Sequence, residues 1–290
     1  MANTKEIRRR IKSISSTLQI TGALELVSSI KMRQAVATAL KSREFSRNIW
    51  SLIQTIKQEG AAIESMPVWF NANPKAAKNL LIVIASDKGL AGSYNSNVIK
   101  TAKQYLAENP TLETDLIIVG KKIRGLAHTS DNVHLISEFA YQSEELNFFQ
   151  SHPIAQIALD GFESGQYANV TVVYTHFVNT LKQESTKIQL LPLQAPDFDA
   201  EPDPEQDYIF EPDRSALLHN LGRQIIISII YQTLLEGSAS EHSARMVAMK
   251  NANDNGQQLV SDLTFTYNKL RQQSITSEIA EISAGRIALQ

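Results

Sequence analysis

All nine prolines of this 290-residue chain fall between Pro67 and Pro212, so the first 66 residues and everything after Pro212 are proline-free. A proline inside a helix removes a hydrogen bond and clashes with the preceding turn, at a cost of about 3 kcal/mol. Tracts this long without one permit two long terminal helices. In the first tract Ile7, Ile11, Ile14 and Leu18 recur at helical spacing. Beyond Leu18 the apolar residues drift to another face, with Ile20, Leu24, Val27 and Ile30. That drift predicts a helix contacted from several sides, with packing inside one bundle as the alternative. The last tract starts after the EPD triplet, with Asp213 or Ser215 as the starting residue. Its LLHNLGRQIIISIIYQTLLE carries a broad apolar face, and Gly237 and Gly256 mark either breaks or close packing. The simplest arrangement pairs the two terminal helices as an antiparallel coiled coil.

The middle of the chain reads differently. NLLIVIASDKG, DLIIVG, NVTVVYTHFVN and STKIQLLPL are β-branched apolar runs of the kind that form strands. Between them NSNVIKTAKQYLAEN, starting at Ser96 or Asn97, and SHPIAQIALDGFESG, capped by Ser151, read as helices. The alternation predicts a sheet of largely parallel strands with helices on its faces. The fold class is therefore α/β, with a central Rossmann-like domain over 67–212 between coiled-coil helices at 1–66 and 213–290. No internal repeat is present.

Composition narrows the chemistry. Cysteine is absent, which removes disulfides, thiolate catalysis and Cys-based zinc sites. The start, MANTKEIRRRIKS, has no apolar core behind its charges and does not read as a secretory signal. The longest apolar run, IIISII, is too short to span a bilayer. Charge is uneven: ten Lys and Arg against three acids through Arg47, and eight acids between Asp197 and Asp213. Without aromatic interleaving, the basic arm points to a protein with an acidic surface rather than to nucleic acid. His128, His134, His152, His176, His219 and His242 lie scattered, without HExxH spacing. SDKGLAGSYNSN follows a strand where a doubly wound enzyme would hold phosphate. It is neither GxGxxG nor GxxxxGK[ST], so a tight turn or a partner-contacting loop is favoured over a nucleotide site. No catalytic residue, cofactor site or metal site emerges.

One stretch resists a bland reading. NKLRQQSITSEIAEISAG has a thin stripe of Ile275, Ile279 and Ile282 among short neutral polar groups. Together with the apolar tip that follows, it would be a liability if left bare. SARMVAMKNANDNGQQL and YNKLRQQSITSEIAEI closely resemble the C-terminal helix of the gamma subunit of F-type ATP synthase. Ile275, Thr276, Glu278, Glu281 and Gly285 match that family's terminal signature. KEIRRRIKSI and ITGALELVSSIKMRQA resemble its N-terminal helix, and SDKGLAGSYNSN, HFVNTLKQ and FEPD fall in the expected order.

The resemblance implies a rotor shaft and not an enzyme. Its coiled coil would turn inside a hexamer of alpha and beta subunits, where beta holds the catalytic sites. Its α/β foot would bind epsilon and the ring of c subunits, coupling proton flow to ATP synthesis or hydrolysis. It further implies that Ile275, Ile279 and Ile282 hold the companion helix, with the tip beyond Ile279 in an apolar collar. Arg271, Gln272, Thr276 and Glu278 would face a loop of beta. Leu24, Lys31, Arg33 and Arg245 would meet an acidic lever of the same subunit. Short polar groups suit a moving contact, because each hydrogen bond contributes only about 0.5–1.5 kcal/mol net and is readily exchanged. The setting implied is the cytoplasmic face of a bacterial plasma membrane, reached through the complex. A coiled-coil adaptor that docks through its α/β body is the alternative. Gly22, Leu24, Lys88, Ala91 and Arg286 depart from the family's usual residues.

Overall fold

The computed structural model describes residues 4–58, 67–71, 73, 76–110, 112–141, 143, 146–193 and 213–288. The acidic, proline-rich segment singled out in the sequence lies almost wholly outside them. Two helices bracket the chain: α1 (Thr4–Gln58) and α4 (Arg214–Ala288), the latter 75 residues without a break. Asp213 is the capping residue of α4, its carboxylate accepting from the backbone N–H of Ala216 at 2.8 Å. Neither Gly237 nor Gly256 interrupts the helix; both are sites of close packing.

Between the helices run β1 (Lys78–Ile84), α2 (Tyr94–Glu108), β2 (Glu113–Val119), β3 (Val133–Phe139), α3 (Ser151–Glu163), β4 (Tyr167–Phe177) and β5 (Gln183–Leu191). They form one sheet of order β3-β2-β1-β4-β5. β1 pairs in parallel with β2 and β4, β2 with β3, and β5 closes the far edge antiparallel to β4. Strand β3 is an addition to the sequence reading. Helix α2 starts at Tyr94, earlier than expected, after Ser93. Ser151 does not cap α3: its hydroxyl donates backward to the Phe148 carbonyl at 2.6 Å. The capping box there belongs to Asn147 and Gln150, one turn earlier.

The chain divides into two compact units, Met1–Ser28 with Arg245–Gln290, and Ser29–Ala244. These bounds differ from a division at the helix ends, because the inner halves of both helices are part of the sheet's core. Ile49, Trp50, Ile53 and Ile56 of α1 share one cluster with Leu218, Ile225, Ile226, Ile230 and Leu234 of α4, with α3 and one face of the sheet. Helix α2 covers the opposite face through Val98, Ala102 and Tyr105. At the amino ends of the strands, buried Asp115 accepts from the Tyr167 hydroxyl at 3.0 Å and from Gln166 at 3.1 Å. Burial, and then the adjacent Asp115, push the Tyr167 hydroxyl well above the usual phenol range.

The other unit is helical. One row of buried and half-buried residues of α1 recurs in alternating steps of three and four: Thr4, Ile7, Ile11, Ile14, Leu18, Thr21 and Glu25. On α4 the same rhythm runs through Asn253, Gly256, Val260, Leu263, Tyr267 and Leu270. This is a coiled-coil seam.

Candidate functional site

The register of the seam is fixed by two contacts. Leu18 lies against Gly256, where an added Cβ would come within 2.5 Å of its methyl group. Thr21 donates to the Asn253 side-chain carbonyl at 2.5 Å, and the Asn253 amide donates to Glu25 at 3.0 Å. The apolar seam thus gives way to a polar layer, and the drifting apolar residues Ile20, Val27 and Ile30 are exposed. An antiparallel pair in this register brings Leu270 level with Thr4, the first described residue of α1.

Past Leu270 the helix continues, but every described side chain is exposed. Ile275, Ile279 and Ile282 are 45%, 59% and 73% exposed. Their expected companion is α1, whose described residues reach only the level of Leu270. Arg271, Gln272, Thr276 and Glu278 share this bare segment. Thr276 donates to the carbonyl of Gln272 at 2.9 Å, so its hydroxyl is already satisfied within the helix. Leu24, Lys31, Arg33 and Arg245 are divided between the two units. Leu24 and Arg245 belong to the helical unit, whereas Lys31 and Arg33 belong to the other. Leu24 and Lys31 are half-buried, Arg33 is exposed and Arg245 is buried.

In the α/β unit, the loop after β1 is held by its own chain. Ser86 donates from its backbone to Asn95 at 3.1 Å and from its hydroxyl to the Lys88 carbonyl at 2.6 Å. Asp87 accepts from the backbone N–H of Lys121 at 2.9 Å. β1 and β4 are neighbours whose helices, α2 and α3, lie on opposite faces of the sheet. The crevice outside the carboxyl ends of such strands is where doubly wound folds take ligands. Here α4 fills it. An added Cβ on Gly237 would stand 3.1 Å from the Tyr141 hydroxyl, 3.4 Å from the Tyr94 hydroxyl and 3.5 Å from Ile84. Ser240 donates to the Thr175 carbonyl at 3.2 Å and Ser243 to that of Thr180 at 2.6 Å. A cavity of about 220 Å³ remains beside Ser93, Asn97 and Gln183, smaller than the roughly 300–1,000 Å³ of a usual small-molecule site.

The sequence reading missed one cluster. Glu236 on α4 is 5% exposed. It meets Arg43 of α1 at 2.9 Å, His176 of β4 at 2.6 Å and the Gln232 amide at 2.9 Å. The bond to Glu236 raises the pKa of His176, opposed by burial. Burial alone would raise the Glu236 pKa, but the bonds from His176, Gln232 and Arg43 bring it below the usual carboxylate value. The only sequence signal was the run EGSASEHS, small and polar inside a helical tract.

Fold and surface define a protein of two parts: a two-helix coiled coil that ends in a bare helical segment, and an α/β body whose ligand crevice is filled by its own chain. A family model described as ATP synthase matches residues 3–289. The chain is 38% identical over 290 residues to the ATP synthase gamma chain of Pelotomaculum thermopropionicum, covering 100% of each. It is 37% identical to that of Roseiflexus castenholzii, covering 100% of this chain and 99% of the relative. Among solved structures, the central stalk and c-ring of Tetrahymena thermophila mitochondrial ATP synthase contains a chain with TM-score 0.58 and 25% identity, matched over 80% of this chain and 99% of its own length. A chain of the Euglena gracilis mitochondrial enzyme gives TM-score 0.66 at 19% identity, over 99% and 94% respectively. The chain belongs to the ATP synthase gamma-chain family.

Proposed function

We propose that this chain is the central-stalk rotor subunit of an ATP synthase, carrying torque between an ion-translocating ring and a catalytic hexamer of alpha and beta subunits. One observation carries the reading beyond family membership: α4 stays helical past Leu270 while every described side chain there is exposed. A helix keeps three bare isoleucines at its end when another protein surrounds them. In this reading Arg271, Gln272, Thr276 and Glu278 touch a loop of beta through exchangeable hydrogen bonds. Ile279 and Ile282 run in an apolar collar. Leu24, Lys31, Arg33 and Arg245 serve the contact with the acidic lever of beta, Arg245 from its buried place. Catalysis belongs to beta, and epsilon and the c-ring bind the α/β body. No helix among the described residues is long and apolar enough to cross a membrane. In this reading membrane attachment runs through the complex, at the cytoplasmic face of a bacterial membrane.

Co-expression with cognate alpha and beta subunits, followed by native mass and ATPase rate, tests the reading. One copy per hexamer, with turnover lost on deleting Leu270 to Gln290, is the expected result. Variable stoichiometry or absence of association in a folded preparation would favour the non-rotary adaptor.

A further inference from the structure

We propose that Glu236 is a positioning residue for torque transfer, a charged joint that fixes α4 against α1 and β4 inside the α/β body. The inference rests on the rotor reading and deepens it. Torque that enters the body must leave through the two helices, so the helices must not slip within it. Apolar packing resists separation but has little directional preference. On α1 the buried and half-buried positions from Ala35 to Ser46 are Ala35, Val36, Ala39, Ser42, Arg43 and Ser46, so apart from Arg43 itself the side chains there are short. The Glu236 carboxylate supplies the missing direction. One oxygen takes Arg43 and Gln232, the other takes His176, so three elements converge on a single rigid plane. The neighbouring bonds of α4 to the body, from Ser238, Ser240 and Ser243 to loop and strand carbonyls, are neutral. They do not include α1.

The joint is also sensitive to protons. Glu184 on β5 stands opposite His176 in the sheet register and is itself paired with Lys182. Facing the imidazole are therefore the carboxylates of Glu236 and Glu184, which favour its charge, and the guanidinium of Arg43, which opposes it. With its pKa raised, the His176 contribution is complete below the ordinary histidine value and is lost as pH rises through the raised one. With its pKa lowered, the Glu236 contribution is complete above the ordinary carboxylate value and is lost as pH falls through the lowered one. The joint is tightest between those limits and loosens on the alkaline side, where imidazole becomes neutral.

The test uses the whole complex in sealed lipid vesicles. The ratio of ATP-driven ion uptake to ATP hydrolysed is measured from about pH 5.5 to about pH 8.5, the span over which histidine titrates. For wild type the ratio declines toward alkaline pH. His176→Gln keeps a hydrogen-bond donor but cannot titrate, and it flattens that decline. Glu236→Gln brings the ratio to about half or less at every pH, because it leaves Arg43 and His176 without their anion. Glu236→Asp restores part of it. Hydrolysis itself persists throughout, which separates slipping from loss of the catalytic sites. Wild-type ratio and slope in both His176→Gln and Glu236→Gln would overturn the joint. Where Glu236→Gln does not assemble, an unchanged slope in His176→Gln alone overturns it. Absence of ATP-driven uptake by the wild-type complex overturns the rotor reading itself, whatever the variants do.

Discussion

Helix α4 contains two stretches of opposite character. From Ile225 to Ser243 it is enclosed: most side chains are buried, and Ser238, Ser240 and Ser243 each donate to a carbonyl of a surrounding loop or strand. From Arg271 to Arg286 every described side chain is exposed, and Ser274 and Thr276 donate within the helix, to Glu278 and to the Gln272 carbonyl. The first stretch binds its surroundings permanently, as a segment that receives torque must. The second has the surface of something released and re-engaged, with small polar groups and isolated isoleucines. One continuous helix therefore spends specific contacts at one end and withholds them at the other.

The sharpest way to break this comparison is to damage the enclosed stretch. Ile230 is 0% exposed and sits in the main cluster. Ile230→Ala should cost about 2–5 kcal/mol of unfolding free energy, read by denaturant titration of the full chain. A loss under about 1 kcal/mol would mean the site collapses freely and that the enclosure is loose.

Next in size is a change beneath the sheet. A Cβ on Gly161 would stand 2.2 Å from the Tyr167 ring, which is itself anchored to buried Asp115. The ring cannot swing aside without giving up that bond. Gly161→Ala should therefore destabilise by about 1–3 kcal/mol, although alanine is the better helix former. An unchanged melting temperature would show that the Asp115–Tyr167 bond does not hold the ring.

A smaller effect, of opposite sign, belongs to the coiled coil. A Cβ on Gly22 meets only the Asn253 amide at 3.6 Å, ordinary van der Waals distance. Gly22→Ala should stabilise the chain by about 0.5–1 kcal/mol through helix propensity alone. A loss in thermal denaturation would show instead that the polar layer of Thr21, Glu25 and Asn253 needs the room. Gly256 is the control, because an added Cβ there displaces the Leu18 methyl at 2.5 Å.

What the sequence disclosed follows from the range of the forces involved. The two helices were legible because the absence of proline and the Ile7 to Leu18 spacing are local facts. Strands β1, β2 and β4 were legible as unbroken apolar runs, since they are covered on both faces. Strand β3 was not, because it is an edge strand with His134, Ser137 and Glu138 among its residues and with Leu135 and Ile136 exposed. The Glu236 joint was invisible for another reason. Its partners lie 60 and 193 positions away, and no periodicity connects them. Register was hidden too: that Leu270 lies level with Thr4 follows from the Leu18–Gly256 and Thr21–Asn253 contacts, which no local spacing discloses.

The smallest effect on stability falls where the largest effect on function is expected. Ile282 is 73% exposed and lies beyond the level of Thr4. Ile282→Ser changes a mostly exposed side chain, so its unfolding free energy should stay within about 0.5 kcal/mol of wild type. In the assembled complex the same change exposes a hydroxyl to the apolar collar proposed around the tip. The cost there is about 1–3 kcal/mol unless the hydroxyl finds a partner. Assembly or turnover should therefore fall while the melting curve of the isolated chain stays put. Equal melting curves with equal turnover would mean the tip turns in water without touching a collar. The working contact would then lie nearer Arg271 and Gln272.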